Sequence, residues 1–200
     1  MYFPDQRILF IHIPKTAGNY IQRHLRQFSP DVVHAHDDKD RFAVTGESPP
    51  AKHATAPEYR ARMGALFEQC EVFTSVRHPV DRMLSFYFSP HRWQRRVSRF
   101  KGHWNRIVTD DPVWDAMKFE EMVASERSMS GYLATALPQL IRYEFLHHQV
   151  GDLFARFGVL PDLTAVNRSA STYDWRIHAR EAAPIVRKHH AEDFERFGYP

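Results

Sequence analysis

The chain has a single cysteine, Cys70, among 200 residues. No intrachain disulfide can form, and a reducing compartment is allowed. No apolar run of about 18 residues or more is present, so no transmembrane segment is expected. No signal-peptide pattern is visible either, and the expectation is a soluble, cytoplasmic protein. Glycine is scarce, with 8 residues, and the ATP-binding loop pattern GxxxxGK[ST] is missing. No internal repeat and no low-complexity linker interrupt the chain. A clear metal-ligand set is also lacking. His34 and His36 stand beside Asp37 and Asp38 without a third well-spaced ligand, so a polar loop is the preferred reading. The adjacent pairs His147-His148 and His189-His190 point to different faces of their helices.

What is there suits an ordinary globular protein. Hydrophobic residues make up 43% of the chain, and its length fits one domain with a proper core. The formal net charge is +3 with the 13 histidines neutral, a balance that suits anionic ligands.

Residues 8–25, ILFIHIPKTAGNYIQRHL, organise the rest. The apolar run from Ile8 to Ile11 reads as a buried parallel strand. Pro14 and Gly18 then punctuate the chain, and Ile21 and Leu25 recur at helical spacing. A strand, a tight turn and a helix follow one another. A helix N-terminus carries unpaired N–H groups and the positive end of the dipole, which together make an anion site. Lys15 and Thr16 add an ammonium and a hydroxyl to that turn. The plainer alternative is a strand-to-helix turn with a solvated lysine.

Val32-Val33 begins a short strand, and residues 46–51, with Pro49-Pro50, form a loop. Thr55 is a good helix N-cap with Pro57 in the first turn, and Tyr59, Met63, Leu66 and Phe67 form the apolar face. Residues 72–76 make a second buried strand, which ends in Arg77-His78-Pro79. Pro79 opens a helix over residues 80–88.

HIPKTAG followed by SVRHPVDRMLSFY resembles the paired motifs of the PAPS-dependent sulfotransferases, whose donor is 3′-phosphoadenosine 5′-phosphosulfate. The resemblance extends through KHATAPEYRARMG, LIRYEFL, DLFARFGV, VNRS and HAEDFERFGYP, and so covers most of the chain apart from about residues 90–129. It implies a single α/β domain spanning residues 1–200, related to nucleotide kinases, with a mainly parallel central sheet flanked by helices. It assigns Lys15, Thr16, Ala17, Gly18 and Asn19 to the 5′-phosphosulfate loop, and Arg77 and Ser85 to the 3′-phosphate. An arginine fork and a serine on the next helix are chemically suited to a phosphate. Each alone also reads as a surface salt bridge or a surface hydroxyl. Asn167, Arg168 and Ser169 read as a loop over the donor or, more plainly, as an exposed turn. Where the family carries small hydroxyl residues, this chain has Asn19 and Tyr20, and Tyr20 must either clash or turn away.

Lys15 and His53 are the catalytic candidates. Lys15 stabilises the leaving phosphate, and His53 is the general base, with His34 and His36 as reserves; the bland reading of His53 is a loop histidine. Fixed cations and N–H groups can supply the electrostatics, so no metal is required. The acceptor is left open among a saccharide, a lipid-linked glycan, a small alcohol and an amine. Residues 90–106, PHRWQRRVSRFKGHWNR, interleave basic and aromatic side chains. They read as an anionic-ligand surface or as a solvated basic helix packing its aromatics inward. Beyond them, a helix is expected over residues 113–124 with Trp114, Met117 and Met122 in the core, then a strand over residues 140–143 leading into a helix. The rivals are a nucleotide-dependent kinase of the same fold superfamily and a non-catalytic polyanion binder. Nucleic acid is the less favoured partner, and nothing in the sequence sets the oligomeric state.

Overall fold

The computed structural model describes residues 1–29, 52–100, 103–160 and 174–200. The expected strand at Val32-Val33, the loop over residues 46–51, His34, His36, and the candidate donor loop with Asn167, Arg168 and Ser169 lie outside the described residues.

The central sheet has four strands in the order β1 (Tyr2–Phe3), β2 (Ile8–Ile11), β3 (Glu71–Val76), β6 (Gln139–Arg142). β1 runs antiparallel to β2, while β2, β3 and β6 are mutually parallel. The register pairs Phe10 with Phe73 and Thr74 with Leu140. A parallel sheet of this kind is covered on both faces, and the strand side chains divide accordingly. Leu9 and Ile11 pack on one side with Tyr59, Met63 and Phe67; Ile8 and Phe10 pack on the other with Ile21, Leu25 and Phe154. All four residues of β2 are essentially inaccessible. Each such apolar side chain contributes about 1.5–3 kcal/mol by leaving water.

Helix α1 (Gly18–Leu25) follows β2 and presents Tyr20, Ile21 and Leu25 to the sheet. Helix α2 (Ala56–Met63) begins at the expected cap: Thr55 accepts from the Glu58 N–H, and Glu58 reaches back to the Thr55 N–H at 2.7 Å. A short tight helical stretch over Gly64–Gln69 then delivers β3, which is followed by α3 (Pro79–Tyr87). Helices α4 (Ala116–Ser125), α5 (Met129–Leu133), α6 (Leu146–Ala155) and α7 (Ala179–Phe197) complete the layers. α3, α4 and α7 share an apolar cluster built on Leu84, Phe119 and Val186.

Two expectations are corrected here. The basic-helix alternative for residues 90–106 does not hold: β4 (Gln94–Phe100) and β5 (His103–Thr109) are strands that pair antiparallel. Val97, Phe100, Trp104, Ile107 and Val108 are β-branched or aromatic, and that composition favours strands. Met117 is not core but 77% exposed. The helix begins three residues later than expected, because the Asp115 side chain caps it by accepting from the Lys118 N–H at 3.1 Å. The inward face then carries Phe119, Met122 and Val123, opposite Met117.

Among the described residues, no helix is long and apolar enough to cross a membrane.

Candidate active site

β2 and β3 are adjacent and parallel, so the turns leaving their carboxyl ends lie side by side. Open α/β sheets bind ligands at that edge. The turn after β2 carries Lys15, and the residue after β3 is Arg77.

The backbone of the first turn is unusual. Lys15 and Ala17 both have positive φ, 68° and 75°. Neither is glycine, and such positions cost about 1–3 kcal/mol each. Alternation of this kind curls successive N–H groups inward into a concave anion-binding nest. Helix α1 starts directly behind it without a side-chain cap and without an acidic residue in its first turn. Helices α2 and α4 are closed by Thr55 and Asp115, whereas α1, like α3, α6 and α7, has no side-chain cap.

Side chains build the rest of the pocket. Lys15 is half-buried, and its Nζ donates to Ser89 Oγ at 3.4 Å. Burial, and then the Arg77 charge, push its pKa down. Arg77 is only 4% exposed. One of its terminal nitrogens donates to the Lys15 carbonyl at 3.3 Å, and its guanidinium lies over the Tyr143 ring, 4.1 Å from the centroid. Its buried Nε has no hydrogen-bond partner among the described residues. No ion pair to a described carboxylate holds Lys15 or Arg77. Two neighbouring cations, largely removed from water and bonded to neutral groups, are arranged for an anionic ligand.

The other predicted residues fall into place unequally. The Thr16 side chain is turned into the protein: its hydroxyl donates to the Ile13 carbonyl and shares a 2.8 Å bond with Ser75. What Thr16 has left to offer a ligand is its backbone N–H. Gly18 is required by a close approach, since a Cβ there would lie 2.0 Å from the His12 ring. Asn19 is exposed at the first turn of α1. Tyr20 resolves its size by turning away into the core, where it stacks on Phe154 at 6.0 Å. Ser85 is half-buried on α3, between Arg82 and Ser89 at spacings of three and four residues. Arg82, three residues earlier on the same helix face, bonds to the turn after β2, as does Ser89, which lies just beyond the end of α3.

His53 is tied to the same edge. Its Nδ1 lies 3.0 Å from the His12 carbonyl oxygen. A carbonyl only accepts, so Nδ1 carries the proton in this contact; in the neutral tautomer that bond leaves the lone pair on Nε2. The His12 ring meets the His53 ring edge-on with centroids 4.5 Å apart. His12 is buried and held neutral: desolvation, reinforced by His53 and Lys52, drives its pKa well below the ordinary imidazole value.

Sequence reasoning missed two residues here, His12 and Arg82. His12 was visible only as the residue that follows β2. Arg82 was visible only through its helical spacing to Ser85. A cavity of about 280 Å³ lies outside this cluster, between α3 and α7, lined by His78, Asp81, Ala183, Arg187 and Phe194 among others. It includes none of Lys15, Arg77 or His53.

Among the described residues, no group of three or more histidine, cysteine or acidic side chains could hold a metal ion. Comparison with known proteins gives a match over residues 1–157 to the model of the sulfotransferase family. No curated protein and no solved structure matches the chain.

Proposed function

Because the chain belongs to the sulfotransferase family, we propose that it moves a sulfonate group from 3′-phosphoadenosine 5′-phosphosulfate (PAPS) to a hydroxyl or amine of a small-molecule or glycan acceptor. The observation that carries the reading is the pair Lys15 and Arg77: two cations withdrawn from water at the same sheet edge, joined to each other through a carbonyl and not through a carboxylate. The donor carries two phosphate-bearing ends, and the residues fit both. The nest over Lys15, Thr16 and Ala17, with the first N–H groups of α1 at Gly18 and Asn19, takes the 5′ end. Arg77, whose Nε is unpartnered, and Ser85 take the 3′-phosphate.

Bound there, the donor supplies a sulfuryl group: its S–O bond to the 5′-phosphate breaks, the electron pair leaves on the phosphate oxygen, and the acceptor atom forms the new bond to sulfur. Lys15 faces the oxygen that gains charge and stabilises it most in the transition state. His53, with Nδ1 donating to the His12 carbonyl, receives the acceptor's proton on Nε2. Arg77 and the nest hold the donor in line with the incoming acceptor. These cations and N–H groups supply the electrostatics without a metal.

Calorimetric titration with PAP, the desulfonated donor, against ADP tests the reading, combined with transfer of labelled sulfonate from PAPS to a panel of sugars, alcohols and amines. PAP should bind at least about tenfold tighter than ADP, since a charge-assisted bond contributes about 1.5–3 kcal/mol. Equal affinities would remove the 3′-phosphate assignment of Arg77. Preference for ATP with phosphoryl transfer would favour the kinase reading. Salt-sensitive binding of RNA or heparin without any donor preference would favour a polyanion binder.

A further inference from the structure

Arg82 is the largest fully buried side chain, at 0% exposure, and nothing in the proposed chemistry uses it. A guanidinium out of water is costly unless its donors are matched. Here each nitrogen has a partner. Nε donates to the Pro14 carbonyl at 3.1 Å, one terminal nitrogen donates to the Arg127 carbonyl at 3.0 Å, and the other faces Met83 Sδ at 3.6 Å. Asp193, itself 0% exposed, lies near enough to favour the charge, and its oxygens accept from the Met129 and Ser130 N–H groups at 2.8 and 2.7 Å. The second anchor, the Arg127 carbonyl, therefore sits just ahead of a helix start that Asp193 already fixes.

Pro14 precedes Lys15, whose backbone is in the left-handed region. The next carbonyl along, that of Lys15, is held by Arg77. Two consecutive carbonyls of one strained turn are thus drawn toward two guanidinium groups. In each trans peptide the N–H points away from the carbonyl, so the Lys15 N–H faces away from Arg82 and the Thr16 N–H away from Arg77. We propose that Arg82 is a positioning residue: through the Pro14 carbonyl it holds the donor turn in its binding conformation before the donor arrives. Arg77 is bound both to the turn and, in the reading above, to the ligand; Arg82 has no access to ligand and acts only through the backbone. The proposal rests on the assignment of this turn to the donor's phosphate end.

The test compares PAP affinity and backbone protection in Arg82→Met, Arg82→Lys and Arg196→Met. Arg196 is the control: its guanidinium also donates to backbone carbonyls, those of Ser130, Ala134 and Ala136, but none belongs to the turn. Arg82→Met, measured well below its melting temperature, should raise the PAP Kd by about tenfold or more, the usual worth of a hydrogen bond to a charged group. Arg82→Lys, which keeps a charged donor, should recover part of that loss. Arg196→Met should lower the melting temperature while leaving the PAP Kd within about twofold, the limit set for a change that only destabilises. Hydrogen exchange on the unliganded wild type should show slow exchange without PAP in the segment that closes the turn, Tyr20 and Ile21, whose N–H groups donate to the Ala17 carbonyl. A folded Arg82→Met with wild-type PAP affinity overturns the proposal, as does equal weakening by Arg196→Met. Should Arg82→Met fail to fold, fast exchange of this segment in the wild type until PAP is added overturns it equally. If wild-type protein binds no PAP, the donor reading fails, and the exchange measurement alone decides whether Arg82 holds the turn.

Discussion

The Arg77 guanidinium donates to the Lys15 carbonyl across 3.3 Å, so two cations 62 residues apart in sequence are fastened together by a neutral bond. Like charges in such proximity repel, and each has been withdrawn from water. Burial is the larger cause of the lowered Lys15 pKa and the Arg77 charge the second. An anion between them would relieve both penalties.

That relationship separates binding from chemistry. Arg77→Ala should raise the PAP Kd by about 10–100-fold, the equivalent of 1.5–3 kcal/mol. Lys15→Ala should lower kcat by about 10²–10³-fold, because its interaction strengthens as the leaving oxygen gains charge. Its effect on PAP affinity should be the smaller of the two. Single-turnover transfer alongside calorimetry checks this, and an unchanged transfer rate in Lys15→Ala would remove the lysine from the mechanism.

The same charges predict proton uptake on the alkaline side. Free Lys15 loses its proton below the ordinary lysine value, so above that lowered pKa the empty site is partly neutral. A bound phosphate favours the ammonium and raises the pKa again. PAP binding on the alkaline side, below the ordinary lysine value, should therefore take up protons, and calorimetry in two buffers of different ionisation enthalpy reads the number. In Lys15→Arg, whose side chain stays charged, the uptake should vanish. Uptake that persists in this variant would assign the titration elsewhere.

Much of this edge was legible because it rests on local rules. Ile8 to Ile11 alternates between two covered faces, Thr55 and Glu58 close a helix reciprocally, and Pro79 opens one. What was not legible depends on partners far away in sequence. Thr16 reads as a phosphate-facing hydroxyl until Ser75, on another strand, engages it. Gly18 reads as a phosphate-loop glycine, yet its missing Cβ makes room for the His12 ring. Arg82, in the middle of a helix, reads as a solvated cation; only the Pro14 and Arg127 carbonyls, 68 and 45 residues away, explain its burial. Residues 94–109 carry enough charge to mimic an exposed helix, and their β-branched residues decide otherwise.

His53 yields the third prediction. His53→Ala should lower kcat by about 10²–10⁴-fold, the range of general base catalysis, with PAP affinity little changed. The acid limb of kcat/KM that reports its protonation should disappear with it. His34→Ala and His36→Ala are the controls. Near-normal kcat in His53→Ala with collapse in either control would move the base to that residue and leave donor binding as assigned.

The last prediction concerns stability against acid. His12 and His190 are both buried, and desolvation is the leading cause that lowers the pKa of each. In the unfolded chain an imidazole titrates near about 6.5. Between that value and the lower folded one, the unfolded chain holds a proton that the folded chain does not, so stability rises with pH across this window and is lost as pH falls through it. Each group contributes a slope of at most about 1.4 kcal/mol per pH unit. The lowered carboxyls of Glu58, Asp115 and Glu120 act in the same sense, but mainly below about pH 5, where carboxylates in the unfolded chain become substantially protonated. Urea unfolding at intervals from about pH 7 to 5 therefore isolates the histidines. His12→Phe keeps a flat ring against Gly18 and His53 and removes the titration, and it should lower the slope in that window by up to one proton's worth. An unchanged slope would mean that His12 accepts a proton in the folded protein, and the neutral packing of His12 against His53 would have to be abandoned.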